Sequence, residues 1–600
     1  MNSPSPTREF LERAWLAALD MPPTDFLPED AKFYDQGGTS LRVIMLHTLL
    51  EEGLDVSVDI VELFDSLATL RFGDWAKQVM ESTSQVTGSK SGVSLPTPSA
   101  GRVGAGDELA VALPSESHVA GVPDRSGLVS IGDRIAVLAR EFPDRTALIE
   151  VRPDGTEIVL TWSEALDRIN AAARALEKRG VGEESTVIVG LPNGIDHVVT
   201  TLATWMLGAR VIPVNPALPE REYTELIGKV PGAFAVGTRP SEIQVTELDG
   251  EDRSYVPARG VPRSAALTGG STGTSRIVCR RHPWLYDPEQ STPAGYELPG
   301  FRFGQVQLVA LPMYHGGFLE LHNGLAMGHT VVIMVSFAPT LLLRLVERHR
   351  VNFFLLVPTQ MRAVAAVHDV PRYDLSSVEA MYHQSAKCPE AVKRRWLEIL
   401  PPERVYEDYG SVENVGYLRI RGDEWLEHPG SVGRPGNGVE VRVVGDDGQD
   451  VPPGTVGAIY LKSPGAVQPT YLGGGPDLPE NDGFLTVGDL GYLDEEGYLH
   501  LVDRRSNVIN VGGLNIHPSE IEDVLLELDS VADAAVTGRR HAILGERVHA
   551  LVVRGSSGLT EEQLMAHCRA RLALSKVPHA YEFVDQLPRD SSGKLRRHEL

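Results

Sequence analysis

The amino-terminal residues place apolar side chains at the three- and four-residue spacing of an α-helix. Two stretches show this pattern most clearly, Phe10, Leu11, Trp15, Leu16 and Leu19, then Leu41, Ile44, Met45 and Leu49. Such helices are stable only when their apolar faces pack together. The pattern therefore predicts a small all-α bundle over residues 1–81.

A change of composition follows the bundle. Of the 25 residues from Ser82 to Gly106, 16 are Ser, Thr, Gly or Pro. Such a segment cannot bury enough apolar surface to offset the entropy lost on ordering. We expect residues 82–125 to act as a flexible linker.

Beyond the linker, strand and helix patterns alternate. An apolar strand over residues 185–190, an amphipathic helix over 195–207 and a second strand over 209–214 predict a βαβ unit. The predicted fold is multidomain, with a large α/β domain over residues 126–502. After a polar interruption from Asp503 to Ser506, a small α+β domain is expected over residues 503–600, with a helix from Glu561 to Leu572.

The net charge of the chain disfavours some classes of binding partner. The 56 basic and 81 acidic residues give a net charge of −25 and a pI near 5.2, which disfavours nucleic acid and anionic membranes as partners. No apolar run of about 18 residues and no signal segment is evident, so a cytoplasmic protein is expected. The three cysteines, Cys279, Cys388 and Cys568, are too far apart for a metal motif.

A loop of small and hydroxyl residues precedes a cation. It consists of Thr268, Gly269, Gly270, Ser271, Thr272 and Gly273, with Arg276 shortly after. Glycines let backbone N–H groups approach phosphate oxygens closely. It is not a Walker loop, because the Gly-Lys-Ser/Thr ending is absent. Alone, the segment fits a flexible surface loop equally well.

Three further segments give this loop a context. They are Asp408-Tyr409-Gly410-Ser411-Val412-Glu413, Gly488-Asp489 with Asp503-Arg504, and the closing Gly593-Lys594. In this order they resemble the adenylate-forming superfamily of acyl-CoA ligases, peptide-synthetase adenylation domains and luciferases. The likeness spans about Ser126 to Leu600 and is closest to bile-acid-CoA-ligase-like sequences.

The resemblance implies ATP and Mg²⁺ as cofactors and assigns roles by position. Asp408 and Tyr409 would lie against adenine, Asp489 would accept the ribose hydroxyls beside Arg504, and Glu413 would bind Mg²⁺. The loop from Thr268 to Gly273 would bind phosphate with Arg276, and Lys594 would reach the substrate carboxylate. The small domain would rotate about residues 503–506 between the two half-reactions.

Four positions depart from the superfamily pattern. The phosphate loop ends Ser275-Arg276 where Pro-Lys is usual, Val412 replaces a threonine, and Ser506 replaces a hinge aspartate or lysine. A guanidinium is not equivalent to an ammonium point charge. These departures leave open a catalytically degenerate scaffold that recruits partners through its first domain.

Substrate information lies at Tyr314-His315. Amino-acid-activating relatives carry Phe-Asp there, and that aspartate pairs with the α-ammonium group. Because His315 cannot supply the anion, an aryl, cinnamoyl-like or fatty acid is expected rather than an α-amino acid. A purely structural histidine at this point remains an alternative.

Ser40 stands in Asp35-Gln36-Gly37-Gly38-Thr39-Ser40-Leu41. A serine before a helix is most often an N-cap. The segment nevertheless resembles the attachment site of acyl and peptidyl carrier domains, which are four-helix bundles, and Val61 to Ser66 resembles their third helix. The resemblance implies that Ser40 carries 4′-phosphopantetheine.

The expected protein is therefore an acid–thiol ligase fused to a carrier. It would convert a small carboxylic acid to acyl-AMP and pass the acyl group to the carrier thiol. Expected partners are a phosphopantetheinyl transferase and a downstream synthase or condensing enzyme. An alternative is a ligase that uses free CoA or an amine as acceptor.

Overall fold

The computed structural model describes residues 8–84 and 127–600, apart from gaps. The gaps are 20, 22–26, 37–42, 44–45, 47–49, 51–59, 269–275, 281, 294–297, 368–369, 437, 466, 512–513, 529, 542–544, 556–557 and 590–593. Several sequence predictions lie outside the described residues, namely those for Ser40, Gly269, Gly270, Ser271, Thr272, Gly273 and Ser275.

Helices and strands alternate along most of the described chain. The helices are α1 Arg8–Ala18, α2 Ile60–Thr69, α3 Phe72–Ser84, α4 Ile131–Glu141, α5 Trp162–Lys178, α6 Ile195–Met206, α7 Glu220–Gly228, α8 Gly316–Ala326, α9 Pro339–His349, α10 Pro358–Ala365, α11 Glu390–Ile399, α12 Gly422–Glu427, α13 Pro518–Leu525 and α14 Glu561–Arg571.

The strands are β1 Val129–Ser130, β2 Thr146–Val151, β3 Glu157–Thr161, β4 Thr186–Gly190, β5 Arg210–Pro213, β6 Phe234–Gly237, β7 Arg263–Leu267, β8 Ile277–Cys279, β9 Leu285–Asp287, β10 Thr292–Pro293, β11 Val306–Val309, β12 Thr330–Met334, β13 Phe353–Leu356, β14 Ala380–His383, β15 Val405–Gly410, β16 Tyr417–Arg421, β17 Glu440–Val444, β18 Gly457–Lys462, β19 Tyr471–Leu472, β20 Glu480–Asn481, β21 Phe484–Leu485, β22 Asp489–Leu493, β23 Leu499–Arg504, β24 Ile509–Val511, β25 Leu514–Ile516, β26 Val531–His541, β27 Gly545–Arg554 and β28 Ala580–Phe583.

The amino-terminal unit is a helical domain with an aromatic centre. Trp15 of α1 lies 5.1 Å from the ring of Phe33 and 4.9 Å from the ring of Trp75, centroid to centroid. All three side chains are fully buried. Of the stretch after Ser40, the described residues Val43, Leu46 and Leu50 are helical and buried. The predicted helices at Phe10 to Leu19 and near Val61 to Ser66 are confirmed.

The large domain contains an eight-stranded sheet and a six-stranded sheet. The first has the order β16-β15-β14-β13-β11-β12-β2-β3, and the second β19-β8-β7-β5-β4-β6. The predicted βαβ unit is confirmed, because β4 and β5 pair in parallel, with Ile188 opposite Ile212. The connecting helix α6 is buried along its whole length.

A third sheet, β20-β21-β18-β22-β23 with β17 beside β18, completes the large domain and ends at Arg504. The small domain has the order β25-β24-β27-β26, with β28 pairing with β27 and helices α13 and α14 against it. The predicted helix from Glu561 is confirmed. In the described residues, no helix is both long and apolar enough to cross a membrane.

Asp503 organises the passage between the two domains. Its carboxylate accepts hydrogen bonds from the Asn507 amide at 2.7 Å and from the backbone N–H of Ser519 at 2.9 Å. Farther away, Arg362 of α10 donates to the carbonyls of Val531 and Ala532, each at 2.8 Å. The small domain is thus held by polar contacts at two separated points.

Candidate functional site

Three of the sequence-predicted residues meet around one carboxylate. Asp489 and Arg504 face each other across the antiparallel pair β22 and β23. Arg504 Nε donates to Asp489 Oδ1 at 2.9 Å, and the Tyr409 hydroxyl donates to Asp489 Oδ2 at 2.8 Å. Burial and the neighbouring Asp489 hold the pKa of Tyr409 well above its ordinary value, so its hydroxyl stays a donor.

The geometry of this cluster suits a diol. Arg504 and Tyr409 each donate to the Asp489 carboxylate, and an ionised carboxylate oxygen can accept more than one hydrogen bond. An ionised acceptor held by Arg504 is the strong kind of hydrogen-bond partner for two neighbouring hydroxyl groups. The cluster can therefore orient a ribose, with the Tyr409 ring beside it.

Asp408, which the sequence places at adenine, is engaged inside the protein. Arg419 of β16 donates to both of its oxygens, from Nε at 2.6 Å and from Nη2 at 3.2 Å. The Tyr417 hydroxyl donates to Asp408 Oδ2 at 2.7 Å. Burial raises the pKa of Asp408, against the opposing effect of Arg419. Its side chain therefore stabilises the β15–β16 hairpin that presents Tyr409.

The ends of the phosphate loop are fixed to each other. At the end of the β7–β8 hairpin, the Thr268 N–H donates to the Arg276 carbonyl at 2.9 Å, and the Arg276 N–H donates to the Thr268 hydroxyl at 3.0 Å. The Arg276 guanidinium lies 5.4 Å from the ring centre of Tyr471. Strand β19 brings Tyr471 there by pairing with β8.

Glu413 lies in a turn directly after β15. Ser411 to Asn414 close this turn, with the Asn414 N–H donating to the Ser411 carbonyl at 3.0 Å. Asn414 has a φ of 56°, a conformation that asparagine tolerates better than most residues. Burial and the charge of Glu413 raise the pKa of Tyr471, while Arg276 lowers it. Glu413, Arg276 and Tyr471 are therefore neighbours.

The Glu413 carboxylate suits an Mg²⁺ ion that is held jointly by the protein and by nucleotide phosphates. Mg²⁺ is commonly held by one or two carboxylates together with nucleotide phosphates. Among the described residues, no group of three His, Cys, Asp or Glu side chains could hold a metal ion. Glu413 would hold the ion together with ATP, and the ion would neutralise charge on the phosphates.

His315 precedes helix α8 at the end of a tight turn. Its N–H donates to the Pro312 carbonyl at 3.0 Å. A Cβ on Gly317 would lie 2.8 Å from the Leu311 carbonyl oxygen, and a Cβ on Gly316 would face Leu311 and the Gln384 amide. The backbone clash makes Gly317 necessary for the turn, and the closeness of Gly316 to Gln384 places His315 near the carboxyl end of β14.

Lys594 lies in the small domain near the chain end. Its neighbour Leu595 forms a bridge with Arg589, and Leu595 packs in an apolar cluster with Leu587. Arg589 is fixed by a bidentate pair with Asp533, both contacts at 2.7 Å. These contacts join parts of the small domain to one another. The role of Lys594 stays a prediction.

A buried charge network behind the site was not foreseen from the sequence. Lys393 of α11 is fully buried and donates to Glu407 Oε2 at 2.8 Å and to His383 Nε2 at 2.9 Å. Burial is the larger cause that lowers the pKa of His383 well below its ordinary value, and the positive charge of Lys393 is the smaller one. The imidazole is therefore neutral. Glu407 precedes Asp408 and Tyr409, so this network supports the strand that carries them.

Family models match the chain in three places. The model of AMP-binding enzymes matches residues 135–472, and the model of their C-terminal domain matches residues 520–594. The chain belongs to the AMP-binding enzyme family. The model of the phosphopantetheine attachment site matches residues 9–71, a range that includes Ser40. The resemblance to adenylate-forming enzymes with a carrier domain is confirmed.

Curated relatives in this family are acid–thiol ligases. The chain is 31% identical over 487 residues to a feruloyl-CoA synthase of an Amycolatopsis species, with 77% of this chain and 96% of the relative covered. It is 29% identical over 397 residues to the fatty acid–[acyl-carrier-protein] ligase ScoC of Streptomyces coeruleorubidus, with 64% of this chain and 76% of the relative covered.

A solved relative shows the same architecture. The O-succinylbenzoate coenzyme A synthetase of Bacillus subtilis, in complex with ATP and a magnesium ion, aligns with a TM-score of 0.64 at 25% identity. The alignment covers 78% of this chain and 98% of that structure. The adenylate-forming fold, with its large and C-terminal domains, is therefore established for this chain.

Sequence reasoning missed several residues that the structure brings to the site. Tyr471 gave no signal, because it stands in a loop-rich stretch and reaches Arg276 only through sheet pairing. Arg419 reaches Asp408 through the register of the β15–β16 hairpin. Lys393 and Glu407 are 14 residues apart and meet because α11 packs behind β15. Both pairings needed the folded structure.

The nucleoside cluster gives a first prediction. We expect Asp489→Asn to weaken ATP binding by about 10- to 100-fold, because a charge-assisted acceptor is lost. Isothermal titration of ATP·Mg²⁺ measures this. Asp482→Asn is the matched control, because that side chain is 83% exposed and pairs only at 3.4 Å with Arg442. An unchanged affinity in Asp489→Asn would remove Asp489 from the site.

The buried network gives a second prediction. We expect Lys393→Met to destabilise the large domain by about 3–5 kcal/mol, because Glu407 is left buried without its cation. Urea unfolding followed by tryptophan fluorescence measures this. Lys387→Met is the matched control, since Lys387 pairs with Asp523 where both side chains are 38% exposed. The control should change stability by less than about 1 kcal/mol. Equal effects would show that the network contributes no more than a surface pair.

Proposed function

We propose that the protein activates a carboxylic acid with ATP and transfers the acyl group to its own carrier domain. The observation that carries the proposal is one chain with both an AMP-binding enzyme and a phosphopantetheine attachment site. An enzyme that makes an activated acyl group needs an acceptor thiol, and this chain has an attachment site for one. The carrier-protein ligase among the relatives supports that pairing.

The first half-reaction would use the residues of the candidate site. Asp489 and Tyr409 orient the nucleoside, and Thr268 and Arg276 frame the loop at the phosphates. A substrate carboxylate oxygen attacks the α-phosphorus, the bond to the β-phosphate oxygen breaks, and pyrophosphate leaves. Lys594 would stabilise the charge that develops between the two anions.

In the second half-reaction, the acyl group would move from AMP to a thiol. The mixed anhydride is a good acyl donor, so a thiol sulfur can attack the carbonyl and release AMP with the C–O electron pair. Phosphopantetheine on Ser40 would supply that thiol. Asp503 and its hydrogen bonds lie at the passage about which the small domain would turn.

The residue at position 315 supports an acid without an α-ammonium group. The position where amino-acid-activating relatives hold an aspartate is a histidine, and its neighbours Gly316 and Gln384 carry no charge. Feruloyl and succinylbenzoyl relatives favour an aryl or cinnamoyl-like acid, and the carrier-protein ligase favours a fatty acid. We propose the aryl class.

The CoA ligase alternative has its own support. Feruloyl-CoA synthase and O-succinylbenzoate coenzyme A synthetase are named for CoA as acceptor. In that case, free CoA would receive the acyl group and another enzyme would load the carrier. The two functions share the adenylating site and differ only in the acceptor.

A panel of acids tests the first step. In ATP–pyrophosphate exchange, we expect aryl or cinnamoyl-like acids to be active and proteinogenic amino acids to be at least about 100-fold weaker, because an ammonium group would be buried without an anion. Lys594→Ala should lose exchange while still binding ATP. Strong exchange with an amino acid would overturn the substrate class, and no exchange with any acid would favour the scaffold alternative.

Mass spectrometry of the intact protein tests the second step. After phosphopantetheinylation, incubation with the acid and ATP should add one acyl mass to the wild type. Ser40→Ala should make acyl-AMP at the wild-type rate and gain no acyl mass, because only the acceptor is removed. If the modified wild type gives free acyl-CoA and never carries acyl mass, the CoA ligase alternative replaces self-loading.

A further inference from the structure

The carrier domain contacts the large domain through its helix α2. Phe64 of α2 is fully buried and packs edge-on against Phe337, with ring centroids 6.1 Å apart and planes at 89°. Phe337 lies between β12 and helix α9, and α9 packs against α2. Apolar residues of the two domains form one continuous cluster here.

Polar contacts surround this aromatic pair. Arg344 Nη2 of α9 lies 3.1 Å from Asp65 Oδ2 of α2. The Tyr34 hydroxyl donates to the Phe337 carbonyl at 3.4 Å. Burial and the charge of Asp65 hold the pKa of Tyr34 above its ordinary value, so the hydroxyl keeps its proton.

Two separate segments of the carrier contribute to this contact. Tyr34 lies before α2 in the chain and is far from it in sequence, yet both meet the stretch of the large domain from Phe337 to Arg344. The carrier is therefore held in one orientation by more than a single side-chain pair.

We propose that Phe337 and Arg344 form a reversible docking site for the protein's own carrier domain, named here the carrier dock. Arg344 and Asp65 are 55% and 32% exposed, so their pair contributes little by itself. A weak contact is sufficient because the linker keeps the carrier at an effective concentration of about millimolar. The same weakness lets the carrier leave.

The dock lies at the end of the sheet that also carries His315. The Asn193 amide donates to the Leu311 carbonyl at 2.9 Å and to the Met334 carbonyl at 3.2 Å. Leu311 leads to His315, and Met334 leads to Phe337. A docked carrier therefore stays on the substrate side of the large domain, with α2 and Tyr34 covered.

Covering α2 has a consequence for partners. A partner enzyme that binds the carrier through α2 would use the same surface of the carrier that the large domain covers at the carrier dock. Release from the dock must therefore precede capture by any partner that binds α2. This inference concerns binding alone and does not depend on the acid that is activated.

Charge reversal in the full-length protein tests the carrier dock. We expect Arg344→Asp to release the carrier, because attraction to Asp65 becomes repulsion. Amide hydrogen exchange over residues 60–69 and 337–345 should become about tenfold faster. In small-angle scattering, the maximum dimension should increase by roughly 20–40 Å, the span that the composition of residues 82–125 predicts. Adding Asp65→Arg should restore both values.

Arg348→Asp is the matched control. Arg348 lies one turn further along α9 and pairs with Glu157 of its own domain at 3.4 Å. The same charge change there should leave exchange over residues 60–69 and the maximum dimension unchanged. Unchanged values in Arg344→Asp, or no rescue by the double reversal, would overturn the dock. Dimers in light scattering that disappear in Arg344→Asp would assign the surface to a second copy instead.

Discussion

The parallel strands of the eight-stranded sheet impose the constraint on which the site depends. Strands β11, β12, β13, β14 and β15 run in the same direction, so their carboxyl ends meet at one edge. The segments that carry chemistry follow directly: the turn to His315 after β11, and Tyr409 and Glu413 at the end of β15. Residues almost a hundred positions apart are brought to the same edge of the sheet through strand order alone.

Buried ion pairs hold strand β15, which carries Tyr409 and leads to Glu413. Glu407 and Asp408 are neighbours on β15, yet each has its own cation, Lys393 for the first and Arg419 for the second. Two adjacent buried carboxylates would repel each other without those partners. Neither cation belongs to the motif that identified the family. The motif tyrosine is therefore held in place by charges that lie behind and beside it.

The sequence was most informative for the short motifs that carry functional residues. Tyr409, Asp489 and Arg504 were predicted from three separate stretches, and the structure brings them within hydrogen-bonding distance. The βαβ unit and the helices at both ends of the chain followed from periodicity. Pairing between distant elements could not be read in the same way, because Tyr471, Lys393 and Arg419 carry no pattern of their own. Their positions depend on sheet register and tertiary packing, which a single sequence does not encode locally.

Ion pairs at the carrier and at the small domain differ in kind from the buried pair at the centre of the large domain. Lys393 and Glu407 are almost wholly removed from water, whereas Lys387 with Asp523 and Arg344 with Asp65 remain partly exposed. Separating a buried pair would leave an uncompensated charge, but separating an exposed pair returns both ions to water at little cost. A domain that must detach and return can therefore use exposed pairs supported by a few apolar contacts. The exposed pairs lie at the carrier and at the small domain, the two parts that must move if one adenylating site is to serve a tethered thiol.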